Sequence, residues 1–262
     1  MDNFKLVYKD KFEKTKYGLV ELGSHELVEA FESGSNIVLK GLPEDDAVLC
    51  TDTKTYLVRQ VNTSNSMLLV TRSYLNEQYV VHDDLSSTIE LLPCLARTNR
   101  IDDLLTESSY SGSKNETDIR KTKTLYTYQD LLSIVQASEH ELRAALKERG
   151  AFEHEGYYRL FDKGFLFRLF DSLVTSAVLL GIDFNNMTLE QAKQCILEEM
   201  SAVDEEEVIP DNVLLASIKS LIANDVDQND AILQFDEHKI CRFLGEWLLT
   251  NPRVKKPLLM SM

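Results

Sequence analysis

Residue types able to do chemistry are few and scattered in this chain. Cys50, Cys94, Cys195 and Cys241 stand far apart, none within metal-ligand spacing of another and none beside a histidine in a zinc-like pattern. They read as reduced, packed thiols. His25, His82, His140, His154 and His238 form neither an HxxxH nor an H-E-x-x-H pair, so no helix carries a two-histidine metal face. Asp45-Asp46 and Asp83-Asp84 fall where turns are expected, and aspartate there bonds to its local backbone. No glycine-rich phosphate loop is present, which argues against nucleotide binding. The expectation is a protein that is not an enzyme and holds no cofactor or metal.

One constellation has a nucleic-acid reading. Glu139–Arg149 has the pattern of the second helix of a helix-turn-helix, the helix that enters the major groove in many such folds. It carries His140, Arg143, Lys147 and Arg149. Glu139, Glu141, Glu148, Glu153 and Glu155 crowd the same stretch, and the chain's net charge is −15. Such a chain repels phosphate at long range, so DNA contact would need a local basic patch. Protein contact is the favoured reading. Arg143, Lys147 and Arg149 are the possible DNA contacts, and a stand-alone winged-helix nucleic-acid binder is the alternative.

The elements that must position these residues divide along the chain. The first hundred residues are β-rich: Asn36–Lys40, Ala47–Thr51, Thr55–Val61, Met67–Thr71 and Gln78–His82 are short runs of β-branched and aromatic residues. Asp52-Thr53-Lys54 reads as a hairpin loop. Short strands at this spacing suggest a small barrel or sandwich. They do not alternate cleanly. Val48, Leu49 and Cys50 are consecutive, as are Leu68, Leu69 and Val70, and neighbours on a strand face opposite ways. Both sheet faces therefore need cover, either from a partner or from an amphipathic helix over Ser24–Phe31.

The polar stretch Thr106–Thr117 reads as a flexible join, poor in the apolar residues that would offset its ordering. Beyond it the pattern is helical. Apolar spacing predicts helices over Gln129–Gln136 and Glu139–Arg149, with Ser138 and Glu141 as a capping box. Tyr157–Phe161 reads as a strand, Phe165–Leu180 as a long helix, and the set as a winged helix. Thr188-Leu-Glu-Gln191 caps a helix through Met200, and Glu205-Glu206-Glu207 reads as a solvated loop. A helix over Asn212–Ala223, a wing strand over Ala231–Phe235 and a last helix from Asp236 to Leu249 repeat the theme. The expected class is α+β, with a β-barrel-like domain over 1–105, a linker over 106–124, a winged helix over 125–182 and a second such unit over 183–262. The start, Met1-Asp2-Asn3-Phe4-Lys5, lacks the layout of a secretory signal, and no apolar run is long enough to span a membrane. An intracellular protein without membrane contact is expected.

Several blocks resemble the Dcc family of sister chromatid cohesion proteins: Asp46-Ala-Val-Leu-Cys-Thr51, Thr55-Tyr56, Thr63-Ser-Asn65, Leu68-Leu69, Leu92-Pro93-Cys94-Leu95, and Tyr110 with Gly112. The most specific is Tyr126-Thr-Tyr-Gln-Asp-Leu-Leu-Ser-Ile-Val-Gln-Ala-Ser-Glu-His-Glu-Leu142, followed in order by Gly156-Tyr-Tyr-Arg-Leu160 and Asp236-Glu-His-Lys-Ile-Cys-Arg242. The resemblance runs from about residue 20 to residue 249. It implies a non-catalytic subunit of an alternative, replication factor C-like clamp loader, acting in the nucleus on the ring-shaped sliding clamp. It implies an N-terminal β-domain that builds a composite barrel with a small barrel subunit and the C-terminal tail of the large subunit. It implies winged helices of which the first, with that barrel, docks the catalytic subunit of DNA polymerase epsilon. ATP hydrolysis would belong to other subunits. The family continues into further winged-helix repeats associated with DNA contact, whereas the segment Asn251–Met262 matches no family pattern. The candidate partner-contacting residues are Val48, Leu49, Cys50, Tyr56, Val58, Leu68, Leu69, Val70, Tyr157, Tyr158 and Arg159.

Overall fold

β-branched runs at the N-terminal end and helical periodicity after residue 125 give a mixed α+β structure. A computed structural model describes residues 5–9, 12, 17–62, 64–73, 78–203, 206–226, 228 and 230–250. Thr63, Glu205, the first four residues and the segment from Asn251 lie outside the described residues. The chain divides into two units, 1–98 with 132–143, and 99–131 with 144–262.

In the first unit the strands are β1 (Lys5–Tyr8), β2 (Leu19–Glu21), β3 (Val38–Lys40), β4 (Val48–Cys50), β5 (Thr55–Asn62), β6 (Leu68–Ser73), β7 (Gln78–Asp84) and β8 (Ser87–Pro93). Five form one sheet in the order β2-β8-β5-β4-β3, and three form another in the order β1-β7-β6. Among the described residues neither sheet closes on itself, so the structure shows two sheets and no closed barrel. The Asp52–Lys54 hairpin forms, with the Thr51 N–H donating to the Lys54 carbonyl at 2.9 Å. β8 did not stand out in the sequence because Glu90 and Pro93 break its apolar pattern. It nonetheless pairs with β5 from Tyr56↔Pro93 to Asn62↔Ser87 and with β2 on its other side.

The double burial of β4 has an internal cause on each face. Helix α1 (His25–Ser33) is capped by Ser24, whose hydroxyl accepts the Leu27 N–H at 3.2 Å, and ends at Gly34 in the left-handed conformation, φ 71°. Its Leu27 packs with Leu49, Tyr56 and Leu91. On the opposite face lies the segment Val135–Glu141. Lys40 Nζ donates to the Val135 and Ala137 carbonyls at 3.4 and 2.6 Å. The Gln136 amide donates to the Asp46 carbonyl at 2.7 Å. The Ser138 N–H donates to Thr55 Oγ1 at 3.0 Å, and that hydroxyl donates to Glu141 at 2.6 Å. The amphipathic helix over Ser24–Phe31 and a later piece of the same unit therefore cover what a partner was one candidate to cover.

The second unit holds α2 (Arg100–Thr106), α3 (Ser113–Thr122), a hairpin of β9 (Phe152–His154) and β10 (Tyr157–Arg159), α6 (Lys163–Leu180), α7 (Leu189–Val203), α8 (Asp211–Lys219) and α9 (Glu237–Thr250). Helices α4 (Tyr128–Ile134) and α5 (Glu139–Glu148) run across the division of the chain between the units. Tyr126 adds one bridge to β10 through Tyr158. A similar pattern recurs downstream, where Thr188 bridges Ile232 and Ile222 bridges Phe235. Thr127 with Asp130 and Thr188 with Gln191 cap α4 and α7, and Asp162 and Asp236 cap α6 and α9.

The stretch read as a flexible join is ordered, for a reason its composition hides. Tyr110 is fully buried, with its ring edge-on to Phe152 and Phe165, and its backbone pairs with Leu160 and Asp162. Glu116 of α3 accepts both terminal guanidinium nitrogens of Arg159 at 2.8 and 3.0 Å, while Arg159 Nε donates to the Ser108 carbonyl at 2.6 Å. The acidic run is not simply solvated either. Glu207 accepts the Ser113 N–H at 2.7 Å and its hydroxyl at 3.1 Å, serving as the cap α3 lacks locally. Gly112 sits at φ 114°, a conformation that strains any residue with a side chain, and a Cβ there would also stand 2.8 Å from that carboxylate.

Arg159 is 1% exposed, and removing one partner of a buried pair strands the other's charge. Arg159→Met is expected to lower stability by about 3–5 kcal/mol, read by urea unfolding of the full chain. The double variant Glu116→Leu/Arg159→Met should recover most of that loss, because it leaves no unpaired charge.

Candidate partner-binding surfaces

The eleven candidate contact residues separate by burial. Val48, Leu49, Cys50 and Tyr56 are buried and Val58 half-buried, all in the five-stranded sheet. The fold itself encloses the first four, so they offer no surface to a partner; consecutive apolar residues signalled two covered faces but not what covers them. Leu68 is half-buried, whereas Leu69 and Val70 are 36% and 37% exposed on β6, next to a register shift between them. β6 is an edge strand of its sheet, and β1 at the other edge exposes Leu6 and Tyr8. β3, an edge of the five-stranded sheet, exposes Val38 and carries Leu39 at 66% exposure. Sequence reading missed Leu39, Leu6 and Tyr8 because an apolar residue at an edge and one in a core share the same short run.

In the hairpin, Tyr158 tilts against Tyr128 with ring centroids 5.8 Å apart, and Tyr157 is half-buried opposite His154. Arg159 is a correction: strand alternation turns it inward onto Glu116, and it has no surface with which to hold a partner.

The basic residues of α5 do not form a free patch. Arg143 donates to Glu139 at 2.7 Å, one helical turn back. Lys147 lies 3.5 Å from Asp225, and Arg149 makes a two-pronged contact with Asp102 at 2.9 and 3.0 Å. Each cation has a carboxylate that phosphate would have to displace. The start of α5 is committed as well. The His140 N–H donates to the Asp52 carbonyl, and Ser138 and Glu141 bond to each other and to Thr55. Base-reading helices use their N-terminal residues, and here those residues are engaged with the β-sheet.

No group of three or more histidine, cysteine or acidic side chains gathers to hold a metal among the described residues. The cysteines are unpaired, and burial pushes the Cys50 and Cys94 thiols up, away from nucleophilic thiolate. Asp45 accepts the Leu42 N–H in its turn, as expected, whereas Asp83 belongs to β7 and accepts the Tyr17 N–H at 2.8 Å. No helix of the described residues is long and apolar enough to cross a membrane.

A family model described as Sister chromatid cohesion protein Dcc1 matches residues 17–260, so the match runs on into the segment from Asn251 that the sequence blocks had left without a family pattern. The chain belongs to this family. It is 30% identical over 258 residues to sister chromatid cohesion protein DCC1 of Xenopus laevis, covering 94% of this chain and 64% of that protein. The mouse protein of the same name is 29% identical over 238 residues, covering 86% of this chain and 57% of its own length. The human one is 25% identical over 237 residues, covering 86% and 58%. The chain thus spans under two thirds of the length of these relatives. Family membership accounts for the order of the sequence blocks from Asp46 to Arg242.

Two outcomes follow from this geometry. The full chain should bind duplex DNA no more tightly than roughly 10⁻⁴–10⁻⁶ M at physiological salt, measured by fluorescence anisotropy. Nanomolar binding abolished by Arg143→Ala/Lys147→Ala would overturn the reading of α5 as protein-facing. The second concerns His154, which is buried, lies 3.3 Å from the Asn212 amide and faces Glu116, Arg159 and Arg120. Burial is the main cause lowering its pKa below the ordinary 6.5, with Arg159 and Arg120 adding to the effect and Glu116 and Asn212 opposing it. The unfolded chain then binds the proton more readily. The His154 contribution is full above 6.5 and is lost as pH falls through the lower folded value. Thermal melts between pH 7.5 and pH 5 should show a smaller loss of stability for His154→Gln than for the unsubstituted chain.

Proposed function

We propose that the chain is a non-catalytic scaffold subunit of an alternative, replication factor C-like clamp loader in the nucleus, acting on the sliding clamp in DNA replication and sister chromatid cohesion. The observation carrying this reading is the open β-unit: its sheets end in edges bearing Leu39, Leu69, Val70, Leu6 and Tyr8 exposed. Exposed apolar edge strands invite strand addition or aggregation, and a protein that keeps them is suited to partners that cover them. In this reading a small barrel subunit and the C-terminal tail of the large subunit complete the barrel. The layout of the Tyr126 bridge, α4, α5, the β9–β10 hairpin and α6 is read as a winged helix over 125–182, and α7 to α9 as a second such unit over 183–262. That first winged helix, with the composite barrel, docks the catalytic subunit of DNA polymerase epsilon, and Tyr157 is the ring best placed for the contact because Tyr158 is engaged with Tyr128.

Family membership supports the assignment to cohesion. The paired state of Arg143, Lys147 and Arg149 favours it over a stand-alone nucleic-acid binder.

The test is co-expression of the full chain with the small barrel subunit and the large subunit's tail, followed by size-exclusion chromatography. A stable co-eluting complex is expected. Leu39→Asp and Val70→Asp, both at exposed positions, should each lower complex recovery at least about tenfold without shifting the chain's own melting temperature. Failure to co-elute, or indifference to both substitutions, would sink the reading. A fragment ending at Arg100 is unsuited to the test, since it lacks residues 132–143 of its own unit.

A further inference from the structure

Helices α7 and α8 enclose a groove of about 550 Å³ in the second unit. Leu189, Leu197 and Leu215 line it, and Glu190, Glu198 and Asp211 stand around them. Lys193 is also at the groove, but its ammonium lies 2.6 Å from Asp211 and its stem is largely buried, so it acts as wall and not as free charge. Glu198 is held by the Gln194 amide at 2.7 Å. Among the described residues no cation pairs with Glu190 or Glu198. Leu197 is 40% exposed although it sits on a helix whose opposite side, through Ala192, Cys195 and Ile196, is fully packed.

These features select a kind of occupant. Uncompensated carboxylates beside exposed leucine repel a phosphate backbone and favour a chain carrying both cations and apolar side chains. Leu197 and Glu198 are adjacent on one helix, and Gln194 and Glu198 lie one turn apart. An occupant would therefore place a large apolar side chain against the exposed Leu197 and the half-buried Leu215, over the buried Leu189, with lysine or arginine one turn away from it. A short amphipathic helix has that spacing. We propose that the α7–α8 groove is a docking site for a basic amphipathic helical segment of a protein partner. This site is separate from the β-unit edges and does not depend on the clamp-loader reading. It also gives the second unit a role in protein binding in place of DNA contact.

The probe is a fluorescein-labelled 16-residue peptide with leucine at positions i, i+3 and i+7 and lysine at the remaining helix-facing positions. Anisotropy is read with the full chain at two salt concentrations. Two control peptides, one with serine for every leucine and one scrambled, separate apolar docking from plain charge attraction. Micromolar binding is expected, with each control at least about tenfold weaker. Leu197→Ser and Glu190→Gln/Glu198→Gln alter exposed side chains and should each weaken the probe at least about fivefold, with circular dichroism and melting temperature unchanged. If a variant fails to hold its melting temperature, Leu197→Met, which keeps the apolar contact, serves as the folded reference and should bind like the unsubstituted chain. Equal binding of the serine control, indifference to both groove variants, self-association lost with Leu197→Ser, or duplex DNA competing the probe off the groove would each overturn the proposal.

Discussion

The rest of the β-unit depends on the seating of Val135–Glu141 against the five-stranded sheet. Lys40 is the centre of that contact. It sits on an edge strand, points inward, and gives its ammonium to two backbone carbonyls of a segment almost a hundred residues away in sequence. Burial pushes its pKa down, while Cys50 and the nearby Glu141 and Glu139 act against that shift. A buried ammonium is costly unless its donors are used, and here the carbonyls between two helices use them. Gln136 and Thr55 add neutral hydrogen bonds around it, so the polar groups of the turn are satisfied inside the sheet's own cover.

That seating settles which apolar residues are spent within the fold and which are left over. Val48 and Cys50 are covered on the side of the turn, Leu49 and Tyr56 on the side of α1. Among those left exposed are residues at the sheet edges, including β6 beside a register shift. The same seating commits the first turn of α5 to the sheet, which removes the part of the helix that would read bases. One local arrangement thus bears both on which apolar residues the fold encloses and on which turn of α5 is occupied.

A comparable economy operates along the helical part of the chain, where acidic residues have structural tasks. Glu116 neutralises a buried arginine, Glu207 caps α3 from across the unit, and Asp102, Asp225 and Glu139 each hold a cation of α5. Several of the chain's carboxylates are therefore paired near the segments that looked basic, while among the described residues Glu190 and Glu198 of the α7–α8 groove have no paired cation. Net charge alone did not distinguish these two situations.

Much of this was legible in the sequence. The five strands from Asn36 to His82, the helices from Tyr128 onward, the capping boxes at Ser138 and Thr188 and the α+β class all rest on local signals: β-branched runs, apolar spacing and side chains that cap a helix three residues away. The family resemblance rests on short blocks in order and was equally visible. Other features were decided only in three dimensions. β8 is an interior strand because its partners β5 and β2 flank it, although Glu90 and Pro93 weaken its own pattern. Thr106–Thr117 is ordered because Tyr110 and Glu116 find Phe152 and Arg159, which local composition does not record. Arg159 looked like a contact residue and is an internal ion pair; Val48 looked like an interface and is a core. Hydrophobic and charged residue types report that burial or pairing must occur, but the partner is chosen by contacts between residues forty to a hundred positions apart, and those are set by the tertiary fold.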